Sequence, residues 1–215
     1  RRVMEGDDVF MFKECEEHGP FKTVLWRGHP AMAEWQRPKK AVYPETCYTL
    51  REKGCPFDCG LCSEHRQLPC SVVLEVTQRC DLHCAVCFAD ASHSKGQDPS
   101  LEKLSQHLEH AIAATGPCSL QLSGGEPTLR DDLPEIIRLA LGVGYPFIQV
   151  NTNGVRLAAD ASFAKQLRET GLSTIFLQFD GTDDEVYRVL RGRELLDRKL
   201  QTIENCGNAG LGVIL

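Results

Sequence analysis

No stretch of the 215 residues approaches the ~18 consecutive apolar residues that a membrane-spanning helix needs, and no secretory leader opens the chain. Neither a transmembrane segment nor export is expected, and a cytoplasmic location is. A basic excess is also missing: 24 Lys and Arg stand against 30 Asp and Glu, a net charge of −6. Nucleic-acid binders carry a basic footprint, so nucleic acid is not an expected partner. Dispersed, paired cysteines of the disulfide-scaffold kind are absent as well. Of the 11 cysteines, those between positions 55 and 87 crowd together at C-x2-C and C-x3-C spacings, which suit metal or cluster binding in a reducing compartment.

What is present is ordinary for a globular protein, with 25% charged and 42% hydrophobic residues, and long enough to bury a domain core and carry a small extra module. The chain opens Arg1-Arg2 rather than with Met and stops inside the apolar run Leu211-Gly-Val-Ile-Leu215, so a piece of a longer protein is expected.

Residues 72 to 88 organise the rest. Val72 to Val76 reads as a short buried strand, and Cys80, Cys84 and Cys87 follow it at C-x3-C-x2-C spacing, with Phe88 after them. The thiols therefore lie on the loop past a strand's carboxyl end, where α/β proteins place their chemistry. Three thiols can hold three corners of a four-iron cluster and leave the fourth iron open; with His83 they can also make a closed tetrahedral zinc site.

A second C-x3-C-x2-C set, Cys55, Cys59 and Cys62, precedes it, with Cys70 available as a fourth thiol. It has no apolar strand in front of it. This set reads as a closed auxiliary centre, a cluster or a structural zinc, and the later set as the open one. Nearer the start, strands are expected over Val9–Phe12 and Phe21–Leu25, around a turn holding Cys15 and His18. Cys15 is a candidate ligand of a third metal site, although no second half of a knuckle lies nearby. Residues 26 to 54 read as an irregular connector.

Beyond the triad the pattern repeats. Ser100 caps a helix over Leu101–Ile112, Ser119–Leu122 forms a strand, and Asp132 with Glu135 makes a D-x-x-E capping box. Strands follow at Phe147–Val150 and Thr174–Phe179. Asp160 opens and Gly171 closes the helix between them, and Asp183-Asp184-Glu185 reads as a helix N-terminus. Leu195, Leu196, Leu200 and Ile203 mark a last helix, and a strand begins at Leu211. Strand and helix alternating at this spacing mean parallel βαβ units, and each strand ends in a polar or glycine-rich motif, as the active-site rim of a (β/α) barrel does.

Gly124 and Gly125 let backbone approach a ligand closely, and Glu126 adds an acceptor for a cation. Asn151 and Asn153 offer amides for hydroxyls or a carboxylate, or simply make an Asn-Gly turn leading into a helix. Gln178 and Asp180 end the next strand.

The Cys80/Cys84/Cys87 loop followed one βα unit later by Gly124-Gly125-Glu126-Pro127 resembles the radical SAM superfamily. The resemblance implies that Cys80, Cys84 and Cys87 hold a [4Fe–4S] cluster whose open iron binds the amino and carboxylate groups of S-adenosylmethionine. It further implies that the Gly-Gly-Glu-Pro segment receives the methionyl amino group and that Asn151 and Asn153 lie beside the adenosyl group. Gln178 and Asp180 would contact the ribose, the sulfonium or the substrate. The fold implied is a partial (β/α) barrel, the N-terminal part of the core domain over residues 71–215, behind a cysteine-rich module over residues 1–70. The reaction implied is reductive cleavage of S-adenosylmethionine to a 5′-deoxyadenosyl radical, with a flavodoxin- or ferredoxin-type electron donor.

A narrower likeness rests on the runs Lys13-Glu-Cys15-Glu-Glu-His18-Gly-Pro-Phe21 and Cys55-Pro-Phe-Asp-Cys59-Gly-Leu-Cys62 and on the strand ending Cys80-Asp-Leu-His-Cys84-Ala-Val-Cys87-Phe-Ala-Asp90. It resembles a branch that includes the pterin dimethyltransferase of methanogens and the tetraether lipid synthases, whose members carry extra cysteine-bound metal centres. Methylation or C–C bond formation on a small pterin-like or a lipid-like substrate is implied. One departure is that the branch's first C-x2-C knuckle would precede residue 1. A different class, a non-catalytic iron–sulfur or zinc interaction module, would be expected to show two closed four-ligand sites.

Overall fold

The computed structural model of the chain describes residues 1–35, 40–44, 46–54, 57–58, 60–87, 89–91 and 97–215, so Cys55, Cys59 and Phe88 lie outside the described residues. The chain divides into two compact units, Arg1–Ala41 and Val42–Leu215.

In the first unit β1 (Arg2–Glu5), β2 (Asp8–Cys15) and β3 (Gly19–Trp26) form an antiparallel meander in that order. The two expected strands are present and longer than predicted. The added edge strand β1 is short and carries no clear alternation, so its sequence does not announce it. Lys22 Nζ on β3 meets the Glu5 carboxylate on β1 at 2.5 Å, and the Cys15 sulfur faces His18 Nδ1 at 3.4 Å across the β2–β3 turn. A single turn of helix, α1 (Met32–Trp35), brings Trp35 against Trp26 with ring centroids 5.4 Å apart.

The second unit is the repeating α/β body. Its strands are β4 (Ser71–Thr77), β5 (Ser119–Gly124), β6 (Phe147–Thr152), β7 (Thr174–Leu177) and β8 (Gly212–Ile214). They form one parallel sheet in sequence order, β4-β5-β6-β7-β8. The crossovers carry α2 (Leu101–Thr115), α3 (Leu133–Val143), the short α4 (Val155–Ala159) with α5 (Ala161–Thr170), and then α6 (Asp184–Arg191) with α7 (Leu196–Asn208). Sequential parallel order with helical crossovers is that of a partial (β/α) barrel.

One core fills the space between sheet and helices. Leu104 and Leu108 of α2, Leu120 and Leu122 of β5, Ile136 and Ile137 of α3 and Ile148 and Val150 of β6 are all fully buried in it. Each such side chain contributes about 1.5–3 kcal/mol by leaving water. Cys118 and Cys206 are buried in the same core as small apolar residues.

The helix starts follow local rules. Ser100 Oγ accepts from Lys103 N–H at 3.2 Å, Asp160 Oδ1 from Phe163 N–H at 3.1 Å, and Asp183 Oδ1 from Glu185 N–H at 2.8 Å. The expected box at Asp132 and Glu135 does not form. Asp132 stands at the N-cap of α3 without a capping bond, because Arg130 holds its carboxylate in a fork, Nε to Oδ1 at 2.7 Å and Nη2 to Oδ2 at 2.6 Å. A bidentate charge-assisted pair outcompetes a single N–H. Arg130 is itself buried, and its Nη1 donates to the carbonyls of Val76 at 2.7 Å and Pro99 at 2.9 Å, tying the end of β4 to the start of α2.

Candidate functional site

Strand β4 ends at Thr77, and the cysteine loop begins there under restraint. Thr77 Oγ1 donates to Asp98 at 2.6 Å and accepts from Arg79 N–H at 3.1 Å, while the Arg79 guanidinium pairs with the same Asp98. Within the loop, Leu82 is buried against Tyr187 and Leu195, and Ala85 N–H donates to the carbonyl of Leu190 at 3.2 Å. Cys80 is partly buried, and desolvation pushes its thiol up to about 11. A metal binds the deprotonated sulfur, so occupancy by iron would remove that proton outright.

The next loop packs directly on the first. Gly125 N–H donates to the Thr77 carbonyl and Glu126 N–H to the Arg79 carbonyl, both at 2.8 Å. A Cβ on Gly124 would collide with the Thr77 carbonyl oxygen, and one on Gly125 with that of Arg79. The two glycines thus serve a close approach of the chain to itself, just ahead of Cys80.

Glu126 is buried and its carboxylate is fully engaged. Oε1 accepts from Thr128 N–H at 3.0 Å, Thr128 Oγ1 at 2.6 Å and Thr152 Oγ1 at 2.7 Å, and Oε2 accepts from Asn153 N–H at 2.6 Å. Burial raises its carboxyl above the usual range against the pull of these donors.

Asn153 bridges three segments. Its Nδ2 donates to Asp81 of the cysteine loop at 2.7 Å, its N–H to Glu126, and its Oδ1 accepts from Val155 N–H at 2.9 Å at the start of α4. Gly154 takes φ of 81°, the left-handed turn anticipated for Asn-Gly leading into a helix. Asn151 sits in an amide ladder on the sheet, accepting from Gln149 Nε2 at 3.0 Å and donating to Gln121 Oε1 at 3.4 Å.

Past β7, Asp180 is gripped by Arg191 of α6, Nε to Oδ2 at 2.9 Å and Nη2 to Oδ1 at 2.6 Å. Gln178, with its amide oxygen turned toward it, accepts from the same guanidinium at 2.6 Å. Arg191 also reaches the Cys84 thiol, and its bond to Asp180 holds it charged.

These side chains share one cavity of about 520 Å³. Cys80, Cys84 and Cys87 line it from the first loop, Gly124, Gly125 and Glu126 from the second, Asn151 and Asn153 from the third, and Gln178 and Asp180 from the fourth. All ten rim residues singled out from the sequence are therefore brought together. Cys62 is buried and Cys70 exposed, and neither lines the cavity. Cys15 lies in the first unit. Arg191 also lines the cavity, and the sequence did not single it out, nor Lys199, which lies behind the Asn153 turn.

The cavity lies within the ~300–1,000 Å³ typical of cofactor sites. Among the described residues no three His, Cys, Asp or Glu side chains converge as on a single metal ion. A cluster does not ask for that convergence, because each thiolate binds a different iron at a different corner. Three thiols on one wall of a cavity of this size fit such a group.

Lys199 of α7 lies fully buried, donating to the Asn153 carbonyl at 2.6 Å, and desolvation lowers it from 10.5 to about 8. Below pH 8 both folded and unfolded chains hold this proton, and the folded state bears the whole burial penalty. Between about pH 8 and 10.5 the unfolded chain binds more protons, so stability rises with pH in that window. The melting temperature of the wild type should accordingly gain on that of Lys199→Met as pH goes from 7 to 10, measured by paired thermal scans; a constant gap would contradict the placement.

Among the described residues no helix is long and apolar enough to cross a membrane. The profile of the radical SAM superfamily matches residues 74–215, and that of the HMPTM N-terminal zinc ribbon domain matches residues 1–27. The 7,8-dihydro-6-hydroxymethylpterin dimethyltransferase of Methanocaldococcus jannaschii is 38% identical over 216 residues, which cover 99% of this chain and 42% of that protein. A probable GTP 3′,8-cyclase of Methanothermobacter marburgensis is 31% identical over 68% of this chain and 47% of its own length. The chain thus spans less than half the length of these relatives.

Among solved structures, anSMEcpe with bound AdoMet and a Cp18Cys peptide is 26% identical with a TM-score of 0.53, over 66% of this chain and 41% of that one. SuiB of Streptococcus suis bound to its precursor peptide shares the fold at 20% identity and a TM-score of 0.56, over 68% of this chain and 32% of that one. The alternating α/β body, the three thiols on its first rim loop and these matches agree: the chain belongs to the radical SAM superfamily, enzymes that work with a [4Fe–4S] cluster and S-adenosylmethionine.

Proposed function

We propose that this chain is the N-terminal part of a radical SAM methyltransferase acting on a pterin-like small molecule. The observation that carries the reading is the 38% identity to the pterin dimethyltransferase over 99% of the chain. The matched zinc ribbon profile at residues 1–27, named for the same enzyme class, supports it. A lipid-like substrate, implied by the wider branch, has no comparable support.

On this reading Cys80, Cys84 and Cys87 hold the cluster. Held there, the cluster would supply the electron for reductive cleavage of S-adenosylmethionine, and with it the means of taking a hydrogen atom from the substrate. The protein's own groups hold the cofactor in place. With the Glu126 carboxylate saturated by four donors, the Gly124-Gly125-Glu126 segment receives the methionyl amino group through its backbone carbonyls. Asn151 and Gln178 face the ribose and carboxylate with amides. Arg191, fixed by Asp180, presents a permanent positive charge beside Cys84. Leu82, Phe176 and Phe179 give the cavity apolar walls that limit water.

Cys55, Cys59, Cys62 and Cys70 are assigned to an auxiliary cluster or zinc, and Cys15, with His18 close by, to a third metal site. Residues 1–70 then act as the metal-binding module and 71–215 as the core. A flavodoxin- or ferredoxin-type protein delivers the electron, in the cytoplasm.

The test uses the full-length protein, purified without oxygen and reduced, with S-adenosylmethionine and 7,8-dihydro-6-hydroxymethylpterin deuterated on carbon. Mass spectrometry should find deuterium passed from the pterin to 5′-deoxyadenosine. If 5′-deoxyadenosine forms without deuterium, the substrate assignment fails while the radical chemistry stands.

A further inference from the structure

Helix α7 turns a row of polar side chains into the interior, and all of them donate to carbonyls of one short segment. Lys199 Nζ meets the Asn153 carbonyl at 2.6 Å, Thr202 Oγ1 the Gly154 carbonyl at 2.7 Å, and Asn205 Nδ2 the carbonyls of Leu157 at 2.8 Å and Ala158 at 3.2 Å. Lys199 and Thr202 have no exposed surface, and Asn205 has 9%. The residues sit at i, i+3 and i+6, one face of a helix.

Thr202 and Asn205 satisfy backbone groups of the Gly154 turn and of α4, whose last carbonyls have no partner within so short a helix. Lys199 asks for a different account. An uncharged donor would serve the Asn153 carbonyl at far lower desolvation cost, and among the described residues no carboxylate lies within ion-pair distance of the ammonium. It also stands 5.8 Å from the ring centroid of Tyr187, whose hydroxyl accepts from Asp180 N–H and donates to the Gly181 carbonyl. Lys199 thus lies behind two rim turns at once.

The Asn153 end of this contact leads to the cysteine loop. Every polar group of Asn153 is committed: the carbonyl to Lys199, the N–H to Glu126, Oδ1 to Val155 and Nδ2 to Asp81, the residue after Cys80. Asn153 is therefore a strut between loops, with one Nδ2 hydrogen beyond these bonds on the cavity side.

We propose that Lys199 is a positioning residue that, through Asn153 and Asp81, sets the Cys80–Cys87 loop against the Gly-Gly-Glu strand end. The proposal rests on the reading that this loop holds the cluster. Lys199 itself does not line the cavity; it acts from behind the rim, and its direct hydrogen bond there is to the Asn153 carbonyl.

The test compares wild type, Lys199→Met and Lys199→Gln in the full-length protein purified without oxygen. The methionine keeps the length and loses the donor; the glutamine loses the charge and keeps an amide donor for the Asn153 carbonyl. The first readout is hydrogen exchange, which needs no turnover. Peptides spanning residues 80–87 and 151–158 should exchange about tenfold faster in Lys199→Met, with those of α2 and α3 unchanged, and return to within about threefold of wild type in Lys199→Gln.

The second readout is the dissociation constant for S-adenosylmethionine, expected to rise about tenfold in Lys199→Met only. Exchange at 80–87 unchanged in Lys199→Met, or the two variants behaving alike, overturns the proposal. Loosened loops in Lys199→Met, with a wild type that does not bind S-adenosylmethionine, would instead strike at the cluster assignment and leave the strut standing.

Discussion

Cys84→Ala in the full-length protein is expected to bring 5′-deoxyadenosine formation to background, a loss of at least about a thousandfold, or about 4 kcal/mol in the barrier. The argument is one of geometry. Cys84 is the middle thiol of the three that line the cavity, partly buried beside the Arg191 guanidinium. An alanine there removes one corner ligand, and two thiolates do not retain a four-iron cluster. Iron should fall by about four atoms per chain, while the melting temperature of the metal-free protein falls only slightly, because the alanine loses just the sulfur's packing against the Leu82, Tyr187 and Leu195 cluster. Cys70→Ala is the matched control. Its sulfur is exposed and outside the cavity, so cleavage of S-adenosylmethionine should persist even where an auxiliary centre is lost. Chromatography of the nucleoside products, with iron analysis on the same samples, reads both variants.

The second large effect is one of stability. Gly124→Ala places a Cβ against the Thr77 carbonyl oxygen, on a residue whose φ is 129°. Both faults act together, and backbone cannot yield as a flexible side chain does, so about 3 kcal/mol of destabilisation is expected. In a protein of this size that lowers the melting temperature by about 6–12 °C. The same variant should also displace the Gly-Gly-Glu strand end from the cysteine loop and weaken binding of S-adenosylmethionine. Gly142→Ala supplies the contrast. It lies inside α3, and an added Cβ there meets nothing within 4 Å. Helix propensity alone then operates, and a gain of up to about 1 kcal/mol is expected. Thermal melts of the three proteins, at one pH and without metal, decide the matter.

The body of the fold was legible because its strands are short apolar runs punctuated by glycine and polar residues. Each strand end coincided with a motif, so the rim could be assembled from the chain order alone. Buried polar groups were much less legible. In α7 the pattern of Leu195, Leu196, Leu200 and Ile203 points Leu200 inward and leaves Lys199 to solvent, yet Leu200 is 52% exposed and Lys199 0%. The helix rotates to satisfy the carbonyls of the Asn153–Ala158 segment, a demand set by a partner 46 residues away in sequence that no periodicity reports. Arg191 was missed for the same reason, since an arginine in the last turn of a helix reads locally as a dipole partner. The absent capping box at Asp132 is the reverse case, a correct local signal overruled by Arg130, which is held in place by β4.

The Gly-Gly pair carries a similar lesson. Sequence reasoning gave the glycines a ligand to approach. Their immediate neighbours are the carbonyls of Thr77 and Arg79, so their first service is to weld the second rim loop to the first.

The measurement that bears most directly on the account is electron paramagnetic resonance of the reduced full-length Cys62→Ala/Cys70→Ala protein, with and without S-adenosylmethionine. Removing two auxiliary thiols weakens the competing centre, and the same protein carrying Cys84→Ala as well, measured alongside, assigns to the Cys80/Cys84/Cys87 loop the signal that is lost with that thiol. The account predicts one cluster whose spectrum changes when S-adenosylmethionine is added and whose samples then yield 5′-deoxyadenosine. A cluster with an unchanged spectrum and no 5′-deoxyadenosine would mean that this loop does not present an open iron, and the assignment of the three cysteines would be wrong.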